Sequence, residues 1–522
     1  MTHVLTTIEF EIPQRSGEVL CVPPATEFVS LAQHNARLLA DTPVQIGGVA
    51  LAELRRRTRR QALEAATSYT RALGIEPAVL AVDMLLLVTG HQPFLFHPGI
   101  WIKHLLVDRL STAGVAALSI PVDSDAAEEI GADVPHYDQG LRLVRETLLQ
   151  CPADVPYEAL ASSAAQVWQE YLARLDAHLV TLPQRAVREA FGAFMQRAAT
   201  IQGVSDMGAF ITVARRRHEG PRRYLELPVS RMTQSPEFQL FFLQILHDSE
   251  RFAECYNRHL NAYRERYNVR TAAQPFSNLE RDGTRIELPF WLLHAGRRRP
   301  LFAERQSHSW RLWTEREPVA TVRDGAGVDE IDHIPIRPRA LTLTAFARLC
   351  LADLFVHGVG GGRYDRVTDS VIREYFGLEP PSYAVVTATL HLPLTEFNPV
   401  DERQNLQRRM LELQHNPDRV LVAPSSQQQA WIDEKWRLIG LLDGGGLTRR
   451  ERRQATQRIR EINEWLSHAL EDERGRIERR LADLTEVSAA TAAATHRAYP
   501  FCFFPPQAVD DLIESMVSPQ TV

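Results

Sequence analysis

The sequence predicts an α/β protein: a Rossmann-like parallel-sheet core with helical and β-hairpin insertions and an antiparallel coiled-coil arm. Three observations carry this. Residues 84–88 (MLLLV) are an apolar run without helical period, closed by Thr89-Gly90, as a strand buried on both faces requires, and residues 115–122 repeat the pattern after a helix-periodic stretch. A third apolar run, 354–356, leads through a glycine cluster into another helical stretch. Residues 427–442 and 448–485 then place apolar side chains at three-four spacing amid Glu and Arg, the pattern of a helical hairpin.

The first unit opens on a loop. HQPFLFHPG (91–99) holds Pro93 and Pro98-Gly99, which a helix interior rejects and a strand-to-helix turn accepts. Ile100, Trp101, His104, Leu105 and Val107 follow at helical spacing, Gly114 supplies a stop, and the second run ends in Asp123, Ser124 and Asp125. A right-handed crossover brings both strand ends to one edge of the sheet. Thr89, Gly90, His91 and Gln92 are therefore expected to face Asp123 and Asp125 across a crevice, with the helix amides after Pro98 open to an anion. His97 lies in the same loop and Lys103 one turn into the helix. Of 59 Lys plus Arg, only Lys103 and Lys435 are lysines. An ammonium and a guanidinium bind anions differently, so Lys103 is a candidate anion ligand beside the plainer reading of a surface residue with its head in water.

Composition bounds the rest. At 522 residues, 44% hydrophobic and 24% charged, the chain is long enough for two or three globular domains, and a net charge of −6 gives no reason to expect nucleic acid. The arginine runs 55–60 and 297–299 are expected to be solvated faces or loops. Five scattered cysteines without a C-x-x-C pair argue against a disulfide framework and a structural zinc site and fit a reducing cytoplasm. His91, His97 and His104, spaced by six and seven, match no recognised ligand pattern, so no metal site is expected from them. MTHVLTTIEFEIP lacks the form of a signal peptide and no run of eighteen apolar residues occurs, so a cytoplasmic protein without membrane attachment is expected.

In chain order, strand-like pieces occupy 1–45 and a helix 49–73. Helices are expected at 137–149, 157–179, 183–199 and 238–267, and an antiparallel hairpin from residue 285 around Ala295-Gly296. The second unit has a helix at 342–353, the run 354–356, glycines at 358, 360, 361 and 362, a helix at 363–376 and a strand at 383–392. Glycines between strand and helix let backbone amides approach a phosphate or carboxylate, though such loops also serve only as turns. Residues 1–397 are assigned to the core domain, 398–495 to the arm, and 496–522 to a segment returning to the core.

TGHQPFLFHPGIWIKHL (89–105) resembles the T-G-Q-Q-x-G-L-x-T-G-P-x-Y-x-x-H-K segment of the bacillithiol-biosynthesis cysteine-adding enzymes, the BshC family. That segment is followed in the family by a strand ending in E-D-H-D-x-x-E-I; here DSDAAEEI (123–130) stands in that place. FVHGVGGGRYD (355–365) resembles the family's Y-V-G-G-P-G-E-x-x-Y-W, with Gly358 and Gly360 on its glycines and Tyr364 on its tyrosine. The family carries a coiled-coil arm in the region of 399–494. His91 stands where it has glutamine, Gly361 where it has glutamate, and Asp125 where it has the histidine of E-D-H-D.

The resemblance implies a carbon-nitrogen ligase that adds cysteine, or a similar amine, to a glucosaminyl-malate-like acceptor in low-molecular-weight thiol biosynthesis. An amine attacking a carboxyl carbon needs that carboxylate activated, which implies ATP or ADP with magnesium, and a base for the amine proton. The expected catalytic residues are His91 as base or phosphate ligand, Gln92 as orienting donor, and Asp123 and Asp125 as ligands of an amino group or magnesium. Thr89, Gly90, His97, Lys103, Gly358, Gly360, Gly361, Gly362 and Tyr364 are the expected substrate or nucleotide contacts. A homodimer through the arm is expected. The competing expectation is a non-catalytic binding or scaffold protein that keeps the arm.

Overall fold

The computed structural model describes residues 10–112, 114–138, 140–162, 165–204, 206–269, 277–394, 400–444 and 447–517. The strand-like start of residues 1–9, the domain boundary after residue 397 and part of the glycine turn at 443–446 lie outside the described residues. The fold is mixed α/β in two compact units: Met1–Val134, Arg145–Leu392 and Arg497–Val522 form the first, Pro135–Val144 and Pro393–His496 the second.

The first unit is built on a six-stranded mixed sheet. Its strands are β1 (Val19–Val22), β2 (Leu85–His91), β3 (Val115–Pro121), β4 (Leu225–Glu226), β5 (Leu354–His357) and β6 (Ala384–Ala388), in the order β1-β6-β5-β2-β3-β4. β6, β5, β2, β3 and β4 are parallel, and β1 is an antiparallel edge on β6. All seven residues of β3 and all five of β6 are buried, which is why they read as continuous apolar runs without alternation.

Helix α1 (Leu51–Ala72) lies against the sheet, and it corrects one expectation. Arg55 and Arg59, one turn apart, are turned inward: Arg55 Nη2 and Arg59 Nη1 both reach Asp353 at 2.8 Å, just ahead of β5. Arg56 and Arg57, paired with Glu53, and Arg60 stand in solvent. Helix α2 (Pro98–Leu110) starts where Pro98 permits it, capped by His97, whose Nδ1 accepts the Gly99 N–H at 3.0 Å. Helix α3 (Val359–Val371) begins four residues earlier than expected, so the glycines form its first turn rather than a loop before it. Intrinsic propensity disfavours glycine there, but Val359 packs with Phe10, Tyr383 and Val385, and that burial decides the start.

Two further differences are instructive. Residues 137–149 are not a helix; Glu129–Asp138 and Gly140–Gln150 pair as a two-stranded sheet, with Arg145 bridging Glu129 at 2.8 Å and Asp133 at 3.3 Å. A short stretch such as LRLVRETLL satisfies either period, and cross-strand charge pairs favour the sheet. A helix at Met207–Glu219 was not anticipated. The antiparallel sheet from residue 285 has Arg285–His294 paired with Arg297–Gln306 across Ala295-Gly296, both at positive φ (49° and 72°), as a two-residue hairpin turn requires.

The second unit contains helices Val400–His415, Ser426–Asp443, Arg449–His468 and Glu471–Ala494, the expected 448–485 helix being broken at Ala469-Leu470. Leu413, Val420, Leu470 and Ile477 form its apolar centre, and Lys435 makes a buried ion pair with Asp418. The side chain of Leu484, part of the expected stripe, lies outside the described residues. No described helix is long and apolar enough to cross a membrane.

Candidate functional site

Strand order fixes where a ligand can enter. From β2 the chain moves to β3 on one side; from β5 it moves to β6 on the other, so the direction of winding reverses between β2 and β5. Loops leaving the carboxyl ends of two such strands diverge and leave a crevice. A cavity of about 470 Å³ occupies this place. From the β2 side it is lined by Gly90, His91, Gln92 and His97, and from the β5 side by His357, Gly358, Gly360, Gly361 and Tyr364. The histidine-glutamine turn and the glycine cluster, some 265 residues apart in the chain, thus share one wall.

The charged groups in this cavity are unevenly paired. Lys103, on the first turns of α2, is 2% exposed, and its Nζ donates to the carbonyl of Gly90 at 3.0 Å. No described carboxylate pairs with it, and burial brings its pKa down to about 7. Arg497 donates through Nη2 to Thr387 Oγ1 (3.2 Å) and the Ala388 carbonyl (3.1 Å), again without a described carboxylate, while its Nε is buried without a partner. Burial lowers its pKa as well. The start of α3 lines the same cavity, and no side chain caps it at Gly358, which leaves its first amides open to a ligand. A buried ammonium, a half-buried guanidinium and an uncapped helix start make a receptacle for an anion.

Asp125 is engaged already. Gln92 Nε2 donates to its Oδ2, and Oδ1 accepts from Arg298 Nη1 (2.5 Å) and from the Ala126 N–H (2.9 Å). Arg298 also lies over the Trp291 ring, 4.6 Å from its centroid, and both line the cavity. A guanidinium on Asp125 opposes a divalent cation there, so the residues present fit the anionic end of a nucleotide but not a magnesium ion held by this carboxylate.

His91 lines the cavity, but burial and then the Lys103 charge push its pKa down to about 3. It is neutral at working pH, and the contact of its Nδ1 with the Gln92 carbonyl is long, 3.3 Å. Tyr364 contributes a phenol whose pKa burial raises to about 12.

Three expected residues are elsewhere. Thr89 is fully buried and ties β2 to β5, donating to the Val356 carbonyl at 2.9 Å. Asp123 does not line the cavity: Ser230 donates to it through N–H (3.0 Å) and Oγ, and burial with the nearby Glu158 carboxylate raises its pKa to about 7. Gly362 is packed under Val385 of β6. Its small size is needed for packing.

Sequence reasoning missed His357, Asp365, Arg298, Trp291 and Arg497. His357 Nε2 lies 2.9 Å from Asp365 Oδ2, and Asp365 is further held by Thr344 Oγ1 and Arg348 Nη1, each at 2.7 Å. The available signal was a histidine ending a strand with an aspartate two helical turns beyond; nothing local marked the other three. The arginine run 297–299 is likewise more than a solvated loop, since Arg298 reaches Asp125 while Arg297 and Arg299 hold Asp154.

Among the described residues, one cluster outside the cavity has ligand atoms close enough for a metal: Cys255, His259 and Glu374. Glu374 is already paired there with Arg258 and with His259 Nε2 (2.8 Å). Compared with known proteins, the chain matches no family model and no curated protein.

Proposed function

We propose that the protein is a BshC-like carbon-nitrogen ligase, joining a cysteine-like amine to the activated carboxylate of a sugar-malate-like small molecule, on a Rossmann-like sheet. The observation that carries this reading is the buried Lys103 ammonium and the half-buried Arg497 guanidinium, neither with a described carboxylate partner, in a cavity at the switch point between parallel strands. Such charge is compensated by an anionic ligand, and a carboxylate activated by phosphate supplies one. A nucleoside triphosphate would provide the phosphoryl group for that activation. Lys103, Arg497 and the amides at the start of α3 would hold the anion, and Gln92 and Tyr364 would position the acceptor.

The departures from the family pattern are compatible with this reading. The pattern has glycine where His357 stands and glutamate at Gly361, and here a Cβ at 361 would approach His357 Nδ1 to 2.7 Å. The two exchanges fit one another sterically. The coiled-coil and homodimer parts of the proposal are supported by apolar side chains exposed in the second unit, among them Leu411, Val422, Trp436, Leu441 and Trp465.

The test is incubation with glucosaminyl malate, cysteine and ATP, followed by mass spectrometry for the amide. Product formation supports the ligase. Binding of ADP without product under any amine and acceptor pair supports the second reading, a small-molecule-binding protein without catalysis.

A further inference from the structure

Resting on the ligase reading, we infer that His357, held by Asp365, is the catalytic base that accepts the proton of the attacking amine. His357 ends β5 in the wall of the cavity. Its Nε2–H donates to Asp365, which fixes the tautomer and leaves the lone pair on Nδ1. Nδ1 has no hydrogen-bond partner among the described residues and lies beside Gly361, where a methyl group would come within 2.7 Å. The glycine keeps that nitrogen reachable.

Every element packed on the ring contributes to its state. Asp365 comes from α3, Arg348 from the turn before β5, Lys103 from α2, and the Tyr383 ring from the segment before β6, edge-on at 5.2 Å. Burial lowers the pKa of His357, and Arg348 and Lys103 act in the same direction against Asp365. The imidazole is therefore neutral and able to accept a proton at neutral pH. Burial works to raise the pKa of Asp365, but Arg348 and His357 outweigh it and hold it well below the carboxylate range. It remains an anion able to stabilise the imidazolium as that forms. His91, desolvated and without a carboxylate orienter, lacks this support.

The amine nitrogen attacks the carbonyl carbon of the acyl phosphate and the C–N bond forms. The acyl C–O bond breaks and the phosphate leaves with its electron pair toward Lys103 and the α3 amides. The N–H proton passes to His357 Nδ1 and from there to solvent.

The experiment compares wild type with His357→Gln, whose amide still offers Asp365 a donor, and with Gly361→Ala, which crowds Nδ1 without removing the imidazole. ADP binding is measured by calorimetry, and amide formation by mass spectrometry across pH 6–9.5. The expected result is that His357→Gln lowers kcat about 100-fold or more while ADP affinity stays within about threefold. The deficit should shrink at high pH, where the amine sheds its proton unaided, and Gly361→Ala should lower kcat in the same direction. Equal turnover and an unchanged pH profile in His357→Gln, with ADP still bound, overturn the assignment of the base and leave the ligase reading standing. Failure of the wild type both to bind ADP and to form any amide removes the ligase reading, and the assignment with it.

Discussion

Lys103 Nζ lies 3.0 Å from the carbonyl oxygen of Gly90 and has no described carboxylate to neutralise it, whereas the only other lysine, Lys435, is buried against Asp418. The two are a natural control. Burial holds the Lys103 pKa near 7, far below the value near 10.4 it has in an unfolded chain. An anion binds the ammonium form, so affinity should fall up to about tenfold per pH unit above 7, with proton uptake approaching one per ligand. Sulfate suits the measurement because its own charge is fixed over this range; calorimetry in two buffers of different ionisation enthalpy reads the uptake. A pH-independent affinity, or one retained in Lys103→Met, would remove Lys103 from the anion site.

The same lysine makes stability depend on pH. Its folded pKa is lowered, so the unfolded chain binds more protons between about 7 and 10.4, and stability is lost as pH falls through that window. Lys103→Met should therefore melt higher than wild type at pH 7 without ligand, and the difference should narrow toward pH 10.

Asp123 gives the opposite case. A folded pKa near 7 against about 3.9 unfolded means that the folded chain holds the extra proton, so its contribution declines as pH rises from about 4 to 7. Asp123→Asn retains an acceptor for the Ser230 N–H and removes the charge beside Glu158. It should be at least as stable as wild type at pH 8 and keep turnover within about threefold. A folded but inactive variant would restore the catalytic role expected from its place after β3.

What the sequence disclosed and what it hid follow from locality. The apolar runs of β2, β3 and β5 were legible because both faces of a parallel sheet select the same residue types. The meeting of Gln92 with Gly358 was legible because a right-handed crossover leaves little choice of edge. The orientation of Asp123 away from the cavity was not, because it depends on Ser230, 107 residues on. Arg298 and Arg497 enter from distant segments, and no local pattern separates them from surface arginines. Arg55 and Arg59 were misjudged for a similar reason: their partner is Asp353.

The glycine cluster separates into positions with different tolerances. A Cβ on Gly360 would have nothing within 4 Å, so Gly360→Ala should gain helix propensity, up to about 1 kcal/mol in urea denaturation. A Cβ on Gly362 would lie 2.4 Å from Val385 Cγ2 in the buried strand β6, so Gly362→Ala should lose about 1–3 kcal/mol through overpacking. Equal effects at the two positions would mean that α3 does not pack on β6 as described.

Asp353 joins the two strands that flank the cavity. Its Oδ2 accepts the Leu86 N–H of β2 at 2.8 Å while its backbone leads directly into β5, and Arg55 and Arg59 neutralise it from α1. Replacing it by alanine leaves two inward-facing guanidinium groups without their carboxylate and frees a strand amide, a combination expected to cost about 3–5 kcal/mol. Because the registration of β2 against β5 sets the distance between Gln92 and the α3 amides, Asp353→Ala should also weaken ADP binding under conditions where the variant is still folded. Urea denaturation gives the first quantity and calorimetry the second. Loss of stability with unchanged ADP affinity would show that strand registration is maintained by other contacts, such as the Thr89 hydroxyl on the Val356 carbonyl.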